Sequence, residues 1–174
     1  MKILNEEYIN ELLKSIAKGD DDAIDILYVE IKDHLVYFLF KLGAFHDDIP
    51  DIIHNTFVTI IEKSKTKIFF NNCIGWIFRI AKNILYNTNR KNYKINYDDD
   101  IVSRLGCTYN ERSLGVKYAI DKCDPTSQQV IFLCFYLQLR NYEVAKILDC
   151  SIATVKRRKF EIITYFKEIY KNER

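Results

Sequence analysis

Residues 141–166 have the sequence NYEVAKILDCSIATVKRRKFEIITYF, which predicts two helices joined by a tight turn. Apolar side chains recur at helical spacing in the first half. These are Val144, Ala145 and Leu148. The turn falls at Asp149, and Ser151 is a typical N-cap for the second helix. Because Ala145 is small, the two helices can cross closely, so we expect a helix-turn-helix.

The second of these helices has two chemically different faces. The face predicted to pack inward comprises Ile152, Val155, Ile162, Ile163 and Phe166. The outward face carries Ala153, Thr154, Lys156, Arg157 and Phe160. Short polar and cationic side chains in the first half of a helix suit the major groove of DNA. An ordinary helical hairpin with a basic face would show the same pattern.

The rest of the chain also predicts helices. Apolar periodicity indicates four of them before residue 93, with stops at Gly19 and Gly43 and new starts near Pro50 and Ile74. The 174 residues include only five Gly and two Pro, fewer turn formers than a sheet would need. We therefore expect an all-α protein.

A loss of periodicity divides the chain. Residues 93–113 carry an acidic run and no helical pattern, which predicts a flexible linker between domains of residues 1–92 and 114–174. Asp124-Pro125 then provides an N-cap and an N1 proline before the apolar run 130–137. Eight apolar residues also suit a buried strand, but the cap and the continuing pattern favour a helix.

Charge is distributed in blocks, although the net charge is only +2. Residues 1–62 hold 5 Lys or Arg against 13 Asp or Glu, whereas residues 63–94 hold 8 and none. Residues 125–174 hold 9 Lys or Arg against 5 Asp or Glu. Two separate basic segments indicate two nucleic-acid contacts, since phosphate binding needs clustered cations. Solvated helix faces, or an adaptor for acidic proteins, remain alternatives.

Other functional classes find no support in the sequence. It has no nucleophile-base set or phosphate loop, so we expect neither an enzyme nor a bound cofactor. The cysteines are odd in number and at least 11 residues apart, which predicts no metal site or disulfide framework. They are Cys73, Cys107, Cys123, Cys134 and Cys150. Without an apolar leader or spanning segment, the protein is expected to be cytoplasmic.

Three motifs resemble a known family. VAKILDCSIATVKRR, residues 144–158, resembles region 4 of extracytoplasmic-function (ECF) sigma factors, and DIIHNTF, residues 51–57, with GWIFRIAKNILYNTNRK, residues 75–91, resembles region 2. The resemblance implies two small helical domains that bind core RNA polymerase, recognise the −10 and −35 promoter elements and promote melting. The sequence departs from the family pattern at three places. His54-Asn55 stands where Gln-Glu is usual, Asn87 where Asp is common, and Glu161 where a basic residue is common.

The resemblance also implies roles for individual residues. Contacts to polymerase would come from Asp51, His54, Asn55 and Phe57. Contacts to the −10 element would come from Lys65, Lys67, Phe69, Phe70, Arg79, Lys82, Asn83, Tyr86, Asn87 and Arg90. Contacts to the −35 element would come from Thr154, Lys156, Arg157, Arg158 and Phe160. Cations mixed with aromatic rings suit a groove that holds phosphates and stacks unpaired bases. For Trp76, core packing and DNA contact both remain open.

The partners implied are core RNA polymerase and promoter DNA, with an anti-sigma factor as a further candidate. Small clostridial sigma factors of toxin genes are a candidate closer relative, because the Asn-, Lys- and Ile-rich composition suggests an AT-rich genome. A stand-alone helix-turn-helix regulator, with residues 1–92 as a sensory or dimerisation domain, is the alternative. Glu161 is expected to accept a hydrogen bond from a cytosine amino group or to neutralise the charge of Arg157 or Arg158.

Overall fold

The computed structural model describes residues 3–66, 72–88, 116 and 118–172. All regular structure in these ranges is helical, as the sequence predicts. The helices belong to two compact units, one on each side of the segment 89–115. The predicted linker lies outside the described residues, as do four of the predicted DNA contacts. These four are Lys67, Phe69, Phe70 and Arg90.

The first unit contains helices α1 (Glu6–Ala17), α2 (Asp22–Lys41), α3 (Ile49–Ser64) and α4 (Cys73–Thr88). The predicted inward stripe of α1 is buried in full: Ile9, Leu12, Leu13 and Ile16. The chain leaves α1 and α2 through Gly19 and Gly43, whose φ angles are +90° and +84°. These left-handed conformations are the ones that glycine adopts most easily.

Two aromatic rings lie at the centre of the first unit. Phe38 of α2 and Phe78 of α4 are fully buried, with ring centroids 5.1 Å apart and planes at 74°. This edge-to-face arrangement is favourable for aromatic pairs. Helix α4 also packs against α1 and α3, so its buried side contacts each of the other three helices. The position of α4 is therefore set by the core.

The second unit contains helices α5 (Pro125–Ile131), α6 (Asn141–Leu148) and α7 (Ile152–Asn172). The Asp124 side chain caps α5 and accepts a hydrogen bond from the Ser127 N–H at 3.1 Å. After α5 the chain continues as a π-helical turn over Phe132–Tyr136. The apolar run 130–137 is thus helical, which confirms the prediction over the alternative of a strand.

The turn between α6 and α7 has the predicted capping residues. Asp149 takes a left-handed conformation with φ +51°, and the Cys150 N–H donates to the Ala145 carbonyl at 3.0 Å. Ser151 then caps α7, accepting from the Thr154 N–H at 3.0 Å. Buried Ala145 lies in α6 where that helix packs on α7. The helix-turn-helix prediction is confirmed as a fold.

The inward face of α7 is narrower than the sequence predicts. Val155 and Ile162 are buried, but Ile152 is 46% exposed and Ile163 is 38% exposed. At 100° per residue, these two lie on the flank of the helix that turns away from the α5 and α6 contact. Their assignment to the core was wrong, because an apolar side chain does not by itself show which helix face is covered.

Candidate nucleic-acid and polymerase interfaces

Helix α4 separates its core side from a polar outward side. Trp76 and Phe78 are buried, so the two rings belong to the core of the first unit. Four of the predicted −10 contacts are exposed later in the helix, on the side turned away from Phe78: Arg79, Asn83, Tyr86 and Asn87. Their spacing of i, i+4, i+7 and i+8 places them along one side of the helix. Lys65, just beyond the end of α3, is also exposed.

Lys82 does not share this exposed face. Its side chain is only 2% exposed, and its Nζ lies 5.1 Å from the centroid of the Tyr86 ring. An ammonium at this distance from an aromatic ring is attracted by the ring electrons. Tyr86 itself is half exposed. The arrangement presents the tyrosine ring to solvent and places the lysine beneath it.

The first turn of α4 is held by Glu6, a residue that the sequence patterns did not single out. Its carboxylate accepts hydrogen bonds from the backbone N–H groups of Cys73 and Ile74, the latter at 3.4 Å. A carboxylate here satisfies N–H groups that the helix leaves unpaired and complements the helix dipole. Burial, together with Glu6, raises the pKa of the Cys73 thiol, which stays protonated. No local pattern reveals partners 67 residues apart.

We expect Glu6→Ala to lower the free energy of unfolding of the first unit by about 1.5–3 kcal/mol, since hydrogen bonds to a charged group are lost. Urea denaturation followed by the fluorescence of Trp76, the only tryptophan of the chain, measures this. Glu7→Ala is the matched control, because Glu7 is exposed in the same helical turn. Its effect should stay below about 1 kcal/mol. Equal effects of the two variants would contradict the capping role.

Helix α7 presents its predicted DNA-contacting residues at the surface. Lys156 and Arg157 are exposed and Phe160 is 72% exposed, whereas Thr154 is half-buried beside the Ser151 hydroxyl. The Nε atom of Arg157 lies 3.9 Å from a carboxylate oxygen of Glu161. The expected neutralisation of an arginine by Glu161 is therefore present, as a loose surface ion pair.

Arg158 has a different environment from Arg157. Its Nη1 donates to Asp124 Oδ2 at 3.2 Å, and its side chain is 30% exposed. The same Oδ2 accepts from the Ser127 hydroxyl at 2.6 Å. Burial favours a higher pKa for Asp124, but hydrogen bonds from Ser127 and the charge of Arg158 outweigh it and lower the pKa. Arg158 thus links α7 to the cap of α5.

A groove of about 450 Å³ lies between α2 and α3 in the first unit. Of the predicted polymerase contacts, Asp51, His54 and Asn55 are exposed on α3. Phe57 is only 7% exposed and packs on Tyr28, with ring centroids 5.3 Å apart. Of the predicted polymerase contacts, His54 and Phe57 line the groove, whereas Asp51 and Asn55 lie elsewhere on the exposed side of α3.

The described ranges contain neither a cluster of metal-binding side chains nor a membrane-spanning helix. No group of three or more His, Cys, Asp or Glu side chains there is arranged to hold a metal ion. None of the helices described is long and apolar enough to cross a lipid bilayer.

Comparison with known proteins identifies the fold. No protein-family model matches the sequence, and no curated protein matches it. Among solved structures, CnrH in complex with the cytosolic domain of CnrY is similar, with a TM-score of 0.62 at 18% identity. The similarity covers 96% of this chain and 99% of that chain. The fold is the all-α fold of an ECF sigma factor, with two helical domains.

Proposed function

We propose that the chain is an alternative RNA polymerase sigma factor of the ECF type, which brings core polymerase to promoters. The observation that carries the proposal is that each unit of this ECF sigma factor fold exposes one helix face with side chains suited to DNA. The first unit presents the α4 face, and the second presents α7. A protein that recognises two promoter elements needs two such faces, whereas a stand-alone regulator needs only the helix-turn-helix.

In this proposal α7 enters the major groove of the −35 element. Lys156, Arg157 and Phe160 extend from the outward face, and Ser151 caps the first turn of the helix. Arg158 supports this helix through Asp124. Backbone phosphates supply most of the affinity and make it salt-dependent, while contacts to base edges supply the sequence preference.

The α4 face is proposed to bind the −10 element as it opens. Tyr86 offers a half-exposed ring on which an unpaired base can stack, and Arg79 offers a cation for the backbone. Stacking contributes about 1–3 kcal/mol per base, which is comparable to the cost of unstacking it. Asn83 and Asn87 on the same face provide hydrogen-bonding amides.

The groove between α2 and α3, together with the exposed side of α3 that carries Asp51, is proposed as the polymerase-docking surface. We expect Asp51→Arg to weaken binding of core polymerase about tenfold, because a charge reversal at an interface creates repulsion. Affinity measured with labelled full-length protein tests this. Asp33→Arg is the matched control, since Asp33 is equally exposed but lies on α2 and is not among the predicted polymerase contacts. Unchanged affinity for Asp51→Arg, with the fold intact by circular dichroism, would remove this assignment.

Run-off transcription on genomic fragments tests the proposed function directly. A sigma factor gives promoter-specific transcripts only when the full chain is added to bacterial core polymerase. A stand-alone regulator instead binds duplex DNA tightly without polymerase and gives core enzyme no promoter specificity. Absence of specific transcripts together with tight binding to duplex DNA would favour the regulator.

The proposal extends to partners and location. CnrH was solved in complex with the cytosolic domain of CnrY, which supports a protein partner for this chain, of the anti-sigma type. A subunit of RNA polymerase would act in the cytoplasm. We assign residues 1–92 to core polymerase and the −10 element and residues 114–174 to the −35 element. Membership of the clostridial toxin-gene branch stays a prediction from composition.

A further inference from the structure

Helix α7 is the recognition helix, the second helix of the helix-turn-helix. It exposes apolar side chains in its first half, the part of such a helix that contacts bases. Ile152 and Ala153 are its first two residues, and both are exposed, as is Phe160. Ile152, Lys156 and Phe160 are spaced four residues apart, so they form one line along the helix, and Ala153 lies seven residues before Phe160 on the same side. Exposed apolar groups thus flank Lys156 on the outward side of the helix.

The two arginines of this helix are both engaged with carboxylates. Arg157 faces Glu161 at 3.9 Å, and Arg158 donates to Asp124 at 3.2 Å. The commonest specific contact to guanine needs a cationic side chain that is free to donate both to O6 and to N7. The exposed pair with Glu161 is weak, but it places a negative charge beside the guanidinium. Guanine recognition by Arg158 is therefore disfavoured, while the weakly paired Arg157 stays available to a phosphate or a base edge.

Duplex DNA is the occupant that the surrounding charge favours. Residues 151–160 carry four cations and no acidic residue: Lys156, Arg157, Arg158 and Lys159. A protein surface binding the same apolar residues would require many matching acidic groups, whereas the phosphates of DNA supply them on both sides of the groove. In the major groove, the apolar group that a base pair presents is the C5 methyl of thymine.

We propose that Ile152, Ala153 and Phe160 recognise thymine methyl groups, so that the upstream promoter element contains thymines in contact with α7. This inference rests on the proposed sigma-factor function and names the base that its recognition helix selects. Lys156, between Ile152 and Phe160, holds the adjacent phosphate or base edge. The specificity is thus carried by methyl contacts.

Replacing single thymines by deoxyuridine tests the inference, because deoxyuridine pairs with adenine and lacks only the methyl. The assay is run-off transcription by the full chain with limiting core polymerase, on the most active genomic promoter. At a contacted thymine, promoter use should fall about fourfold, the change expected when one methyl-sized group loses an apolar contact. The Phe160→Ala variant should use the thymine-containing promoter less than the wild type does. At the thymine that Phe160 contacts, deoxyuridine should not lower its promoter use further.

Tyr118→Ala is the matched control, since Tyr118 is 67% exposed in the second unit but does not lie on α7. It should keep the full response to deoxyuridine. Specific transcription that is unaffected by every deoxyuridine substitution would overturn the methyl inference and leave the sigma-factor function standing. So would full deoxyuridine sensitivity in Phe160→Ala. Absence of any promoter-specific transcription would overturn the function and, with it, the inference.

Discussion

Phe78→Ala is expected to lower the free energy of unfolding of the first unit by about 3–5 kcal/mol, the range seen for buried phenylalanines. Phe78 is fully buried, and its ring packs edge to face on Phe38. Alanine would remove this contact and leave a cavity between α2 and α4. Urea denaturation of the full chain, followed by Trp76 fluorescence, reports on this unit because the second unit has no tryptophan.

The neighbouring residue provides the control. Arg79 is exposed on the side of α4 that faces away from the core, so Arg79→Ala should change the stability by less than about 0.5 kcal/mol. The same variant should weaken promoter complexes if the outward face binds DNA. A stability loss in Arg79→Ala equal to that in Phe78→Ala would mean that the two faces of α4 have been assigned incorrectly.

The second unit should be sensitive to replacement of Asp124. Asp124→Ala removes the cap of α5, the hydrogen bonds with Ser127 and the partner of Arg158, whose Nε is already buried without a hydrogen-bond partner. We expect a loss of about 2 kcal/mol, combining a lost cap with a charged hydrogen bond. Far-UV circular dichroism should show earlier unfolding of part of the helix signal, with the Trp76 transition unchanged.

Asp124→Asn separates the cap from the charge, because asparagine caps helices about as well as aspartate. Half of the Asp124 side chain is exposed, so solvent screens its charge, and the charge contribution should stay below about 1 kcal/mol. The pKa of Asp124 is lowered in the fold, so this contribution is present above the ordinary value of 3.8 and is lost as pH falls below it. A difference between wild type and Asp124→Asn that grows in acid would contradict the ion pair.

The helices were predictable because their apolar residues repeat with the helical period, and the caps at Asp124 and Ser151 are chemically specific. The same pattern could not show which polar side chains reach across the fold. Glu6 and Arg158 find partners 67 and 34 residues away, and neither distance leaves a local signal. Lys82 was predicted to contact DNA because of its charge, yet it is buried, with its Nζ 5.1 Å from the centroid of the Tyr86 ring.

The bond between Glu6 and the start of α4 has a consequence for synthesis of the chain. Contacts between residues far apart in sequence form slowly, because a long loop must close before they contribute. The first unit therefore cannot complete its fold on the ribosome until α4 has emerged, because α4 contains the residues that Glu6 and Phe38 contact. The Asp124–Arg158 contact of the second unit spans 34 residues rather than 67, so this unit should fold faster.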